Sequence, residues 1–129
     1  MLSILPCKDK ERLAAYPEGT TLLVYKEDGL ECGYIAYKPY KSAMEILDVK
    51  VGKGKGKTQF LRADALFRSV GSVALNEGII TLCTKDTSML SVLEELGFFK
   101  NGEFYILYLN KFFGGVCKGC NGSCRSEQK

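Results

Sequence analysis

Between Val51 and Thr58 the chain reads Val-Gly-Lys-Gly-Lys-Gly-Lys-Thr, and this stretch constrains the fold more than any other. Before it lies Ala43 to Val51, a β-rich run ending in Asp-Val-Lys-Val. After it, from Lys57 to about Asn76, Phe60, Ala63, Phe67, Val70 and Ala74 recur at helical spacing, with Lys57, Arg62, Asp64 and Arg68 elsewhere around the wheel. A strand that passes through a glycine bend into a helix aims unpaired backbone amides and the positive helix end at an anion. The glycines let the main chain approach closely. Lys50, Lys53, Lys55 and Lys57 concentrate cationic charge on the bend, which suits a diphosphate-bearing cofactor.

The spacing argues against a nucleoside-triphosphate loop. That motif needs Gly-x-x-x-x-Gly-Lys-Ser/Thr, and Gly56-Lys57-Thr58 supplies its end, but the position five before Gly56 is Val51. The run Ile79 to Cys83 leads into Thr84-Lys85, without the acid that would hold magnesium.

Around this motif the remaining elements fall into place. Leu2 to Leu5 reads as a strand and Lys8 to Ala15 as a short helix that stops before Pro17. Thr20 to Lys26 and Glu31 to Tyr37, joined through Glu27-Asp28-Gly29, form a β-hairpin. The loop Pro39 to Ser42 leads to the next antiparallel strand. Gly78 closes the long helix, Ile79 to Cys83 makes a buried strand, and Asp86 or Thr87 caps a second helix through Met89, Leu90, Leu93 and Leu96 to Gly97. Glu103 to Phe112 reads as a strand buried on both faces. Antiparallel strands followed by helix, strand, helix and strand imply an α/β (α+β) domain with a mixed, mainly antiparallel central sheet flanked by helices. With 129 residues and 46% apolar composition, one core and one site are expected, in a domain over residues 1–113 with a Gly- and Cys-containing flexible tail over 114–129.

Charge and cysteine usage narrow the address and partners. A net charge of +3 lacks the basic character of a nucleic-acid binder. No apolar run approaches the roughly 18 residues of a membrane span, so neither a membrane nor a nucleic-acid partner is expected and the cytoplasm is the default location. Cys7, Cys32 and Cys83 lie singly in apolar patterns, as free thiols that pack like small hydrophobes. Cys117, Cys120 and Cys124 begin like a zinc site. Three thiolates in a chain with no histidine leave the fourth ligand to another chain, to Cys7 or Cys32, or to water, and an exposed tail of free thiols is the plainer reading.

Taken together, the bend and its surroundings resemble the GNAT superfamily of acyl-CoA N-acyltransferases, over nearly residues 20 to 112. The family's pyrophosphate turn is Gln/Arg-x-x-Gly-x-Gly/Ala. Here Gly56 and Thr58 take the small positions, Lys53 the Gln/Arg position and Leu61 the early helix leucine; a second register uses Gly54 and Gly56, with Val51 leading. A second patch, Asp86 to Phe98 ending Leu96-Gly97-Phe98, is similar to the family's later helix. The resemblance implies acetyl-CoA as cosubstrate. Its pantetheine arm would lie along Ala43 to Val51, with Val49 and Val51 in contact and amides near Val49 facing the oxyanion. Its pyrophosphate would lie on Lys53, Gly54, Lys55, Gly56, Lys57 and Thr58.

The acceptor would be an amine that must lose a proton before attack, and Glu45 and Asp48 are the carboxylates at hand. Glu45 is preferred, being read as sharing a strand face with Leu47, Val49 and Val51; pairing with a lysine across the sheet is its structural alternative. Where the family carries a tyrosine that protonates the departing thiolate, this chain has Leu93. Tyr105 or Tyr108, Ser91 or water would substitute, or the domain would bind acyl-CoA without transferring it. The region before the hairpin is shorter than the two helices the family places there to shape the acceptor pocket, which leaves room for a large acceptor or a homodimer.

Overall fold

Asp28 and Gly29 both take positive φ (53° and 83°), the backbone of a two-residue hairpin turn whose twist matches the strands it joins. The computed structural model of the chain describes residues 2–52 and 57–112. In order these form β1 (Leu2–Pro6), α1 (Lys10–Leu13), β2 (Thr21–Glu27), β3 (Leu30–Tyr40), β4 (Ala43–Val51), α2 (Lys57–Asn76), β5 (Thr81–Thr84), α3 (Leu90–Leu96), β6 (Phe99–Asn101), β7 (Phe104–Tyr108) and α4 (Leu109–Phe112). A sheet of order β1-β2-β3-β4-β5-β7-β6 runs through them. Only the β4–β5 pair is parallel. The expected mixed, mainly antiparallel sheet with flanking helices is what the chain forms.

The long helix spends its apolar stripe on one face of this sheet. Ala63, Leu66, Phe67, Val70 and Ala74 pack with Ile35, Met44, Ile46, Val49 and Leu82 from the strands and with Val92, Leu93 and Leu96 from α3. Phe67 is fully buried, and its ring meets Phe98 edge-on at 5.6 Å; removing such a side chain from water stabilises by about 1.5–3 kcal/mol. On the opposite face a smaller cluster joins Leu22, Val24 and Ala36 to Cys7, Leu13, Tyr16, Tyr34 and Leu47. Among the described helices only α1 and the turn after it lie there.

Several boundaries differ from the sequence reading, each for a local reason. The loop expected at Pro39 to Ser42 tightens to Lys41-Ser42, because Pro39 and Tyr40 pair with Met44 and Ala43. The strand expected to begin at Ile79 begins at Thr81, because the Ile79 amide donates to Ala74 O to finish α2 beyond the positive-φ Gly78. Asp86 does not cap α3: its Oδ1 accepts from Ser88 N, and the helix starts after Met89 without a side-chain cap. The final strand stops at Tyr108, where Leu109 turns into α4 and donates its amide to Ile80 O. That strand is buried mainly through Leu107, while Tyr108 is 40% exposed, so burial on both faces does not hold. The short β6 escaped notice because its residues are all exposed.

Candidate active site

The alternation of β4 is interrupted in the middle. Ala36 pairs with Asp48 but Tyr37 pairs with Ile46, which leaves Leu47 as an extra residue in a β-bulge. The inward side chains are therefore Met44 and Ile46 before the bulge, and Val49 and Val51 after it. Glu45 thus does not share a face with Val49 and Val51, contrary to the strict alternation assumed from sequence.

The bulge coincides with a fork in the sheet. β4 pairs with β3 along its whole length, but its other edge pairs with β5 only at Met44, Glu45 and Ile46. At the apex stands Thr84, 1% exposed, the one polar side chain buried among the described residues. Its hydroxyl donates to Ile46 O (2.9 Å) and accepts from Asp86 N (3.0 Å), so the last rung is fixed and the chain is turned away from β4. Beyond Ile46 the backbone of β4 borders a cleft of about 450 Å³ lined by Tyr34, Asp48, Val49, Lys50, Val51, Gln59, Ser88 and Met89. Gln59 belongs to the first turn of α2, which contains no acidic residue to compete for an anion.

Asp48 is the carboxylate of the cleft. Tyr16 donates its hydroxyl to Asp48 Oδ2 at 2.8 Å, and Tyr34 lies against the same carboxylate. Burial, then the hydrogen bond to Asp48, pushes the Tyr16 hydroxyl well above the ordinary phenol range. Burial, then the charge of Asp48, raises Tyr34 as well. Both phenols therefore remain donors at neutral pH. Arg12 caps the arrangement from α1, with its guanidinium 5.4 Å from the Tyr34 ring centroid and both terminal nitrogens on the Glu31 carboxylate at 2.8 and 2.9 Å. Sequence reasoning found Asp48 but not its two tyrosines. The signal available was Ile46-Leu47 side by side before a charged residue, a break in alternation that marks a bulge.

The other sequence candidates are distributed differently. Glu45 is half-buried on the α1 side of the sheet, with Lys38 as its Cα partner in β3 and Cys83 in β5, and it does not line the cleft. Tyr105 is the Cα partner of Thr84 and packs half-buried against the main core. Leu93 is 1% exposed within that core. Val49 and Val51 border the cleft with their side chains turned to the core. Thr58 is exposed in the first turn of α2, and Leu61 is 60% exposed. Lys53, Gly54, Lys55, Gly56 and the side chain of Lys57 lie outside the described residues, as do Cys117, Cys120 and Cys124. Among the described residues no group of His, Cys, Asp and Glu could hold a metal ion.

At the end of β4 two glycines allow close backbone approach. A Cβ on Gly33 would lie 2.8 Å from Lys50 O, and one on Gly52 would lie 3.1 Å from Cys32 O. Both residues border a smaller hollow with Glu31, Cys32, Tyr34, Lys50 and Val51, where the chain leaves the sheet.

Comparison with known proteins bears on the fold. No family model matches the sequence, and no curated protein matches it. Solved structures do. A GNAT family acetyltransferase from Elizabethkingia anophelis with acetyl-CoA bound superposes with TM-score 0.63 at 16% identity, over 84% of this chain and 98% of that one. An IAA acetyltransferase from Bacillus cereus gives TM-score 0.60 at 16% identity, over 78% and 79% of the two chains. The ribosomal-protein-S18-alanine N-acetyltransferase from Escherichia coli gives 0.58 at 12% identity, over 84% and 81%. The chain has the GNAT fold.

Proposed function

We propose that this protein is an N-acetyltransferase that moves an acetyl group from acetyl-CoA directly to an amine. The observation that carries the reading is the open edge of β4 beyond Ile46, bordering a cleft into which a single carboxylate, Asp48, is held by two tyrosines. Acetyl-CoA supplies the activated thioester. The unpaired groups of Leu47 to Val51 offer an amide-bearing arm the hydrogen bonds that β5 no longer makes, and amides near Val49 face the position where negative charge develops. The bend Lys53, Gly54, Lys55, Gly56, Lys57 and Thr58 takes the diphosphate, by its charge and its place before α2.

Asp48, rather than Glu45, accepts the proton of the incoming ammonium, because Asp48 lines the cleft while Glu45 stands beside Cys83 behind the fork. Tyr16 and Tyr34 position that carboxylate. Tyr105 is the nearest ring of β7 to the apex by register, opposite Thr84. A thiolate leaves without a strong acid, since thiol pKa values are about 8.5. The burial of Leu93 where the family carries its tyrosine favours a second reading, an acyl-CoA-binding domain without turnover.

Thermal denaturation with and without acetyl-CoA, followed by release of free CoA thiol against a panel of amines, separates the two. Binding at a hundredfold excess over Kd should stabilise by about 2.7 kcal/mol. Asp48→Asn should keep that stabilisation and lose about 10²- to 10⁴-fold in turnover, the range of a positioned general base. Unchanged turnover in Asp48→Asn would remove Asp48 from the chemistry, and stabilisation with no acceptor-dependent thiol release would establish the binding-only reading.

A further inference from the structure

The two ends of the sheet are finished differently. β6, at one end, has three residues, all exposed, with Lys100 in the middle, a short and charged edge of the kind that discourages further pairing. β1, at the other end, reads Leu-Ser-Ile-Leu-Pro and carries no charge. Among the described residues no strand pairs with its outer edge.

Which backbone groups point outward follows from one bond. The Cys7 amide donates to Leu22 O at 2.7 Å, one step along the register that sets Pro6 against Leu23 and Leu5 against Val24. Antiparallel pairing alternates, so Ser3 and Leu5 also turn their backbone groups to β2, while Leu2, Ile4 and Pro6 turn theirs outward. Pro6 therefore stands where its missing N–H costs the existing ladder nothing. The side chains alternate in step. Ile4 packs against the main core, and Ser3 and Leu5 lie on the other face, where they border a hollow of about 340 Å³ whose lining includes Pro6, Val24 and the paired Arg12 and Glu31. Leu5 is 63% exposed at its margin.

We infer that β1 is a self-association edge, which pairs antiparallel with β1 of a second copy of this chain about a two-fold axis at Ile4. In that register the two Ile4 residues exchange both of their bonds. Each Leu2 N–H donates to the opposite Pro6 C=O, which asks of the proline only the acceptor it has. Ser3 of one copy then stands opposite Leu5 of the other in a non-hydrogen-bonded pair, the kind that brings side chains closest. Each exposed leucine is carried over the hollow beside the other copy's Ser3, so the projecting group and the space it fills both belong to this chain. That self-complementarity favours a second copy over an unrelated peptide. No like charges meet along the new ladder, since β1 has none. The axis stands normal to the sheet, which keeps both α1 segments on the same side of the joined sheet.

One strand pair with one leucine from each copy is smaller than a standard interface, so association is expected between about 10 µM and 1 mM. Sedimentation equilibrium of the full chain in reducing buffer should show monomer giving way to dimer across that range. Amide exchange reads the register: the Ile4 amide should exchange rapidly in dilute protein and at least about tenfold more slowly where dimer predominates, while the Leu5 amide, bonded to β2, is protected at both concentrations. Leu5→Lys, at an exposed position, should leave the thermal midpoint nearly unchanged and raise the dimer Kd by at least about tenfold, because it brings two ammonium groups together near the axis. A chain that stays monomeric at about 1 mM overturns the inference. A dimer whose Ile4 amide still exchanges rapidly, or one that Leu5→Lys leaves intact, overturns it as well, since either places the interface elsewhere.

Discussion

The two edges of β4 are made of the same nine residues and behave differently. Toward β3 the strand is paired from Ala43 to Val51, and the core side chains Ile35, Met44, Ile46 and Val49 lie under that ladder. Toward β5 the pairing lasts three residues and then gives way to a cleft. The closed edge is built from hydrogen bonding interrupted only by the bulge at Leu47, and from buried aliphatic surface. The open edge begins at Thr84, whose hydroxyl donates to Ile46 O where the strands part. On the proposed function, stability and binding fall to opposite sides of one strand.

Paired substitutions sharpen that division. Ile35→Ala, at a fully buried position on the closed side, should cost about 2–5 kcal/mol in urea denaturation and leave the Kd for acetyl-CoA nearly unchanged in the folded fraction. Thr84→Val keeps the volume but orphans Ile46 O and Asp86 N; it should cost about 1–3 kcal/mol and weaken acetyl-CoA binding. If Ile35→Ala weakens binding more than Thr84→Val does, the division of labour is wrong.

A smaller effect is expected at Cys83, 5% exposed behind the fork. Burial, reinforced by the charge of Glu45 and opposed by Lys85, raises its thiol from 9.0 to about 11. A raised acid favours the native state while it stays protonated, so this contribution is complete below pH 9 and lost as pH rises through about 11. Stability measured across that window should fall less steeply in Cys83→Ala than in the unsubstituted chain. Identical slopes would show that the thiol ionises alike in both states.

Much of the closed side was legible in the sequence, because its determinants are local. Asp28-Gly29 specifies its turn by positive φ, and the helical stripe from Phe60 to Ala74 specifies the face of α2 that meets the sheet. The candidate site was legible only in outline. Strict alternation put Glu45 with Val49 and Val51, and a bulge, which depends on pairing with β3, moved it to the other face. Tyr16, Tyr34 and Asp48 come from separate elements, and no local pattern joins them. The last strand was overextended because Leu109 keeps its apolar character while changing from strand to helix, its burial satisfied in the main core either way.

Amide hydrogen exchange along β4 tests the central claim most directly. In the free protein, those amides from Leu47 to Val51 that are not bonded to β3 should exchange rapidly, while Met44 to Ile46 are protected. Saturating acetyl-CoA should then protect the Leu47–Val51 group and leave the first three residues as they were. Slow exchange throughout β4 in the free protein, or exchange beyond Ile46 that acetyl-CoA does not alter, would contradict the account.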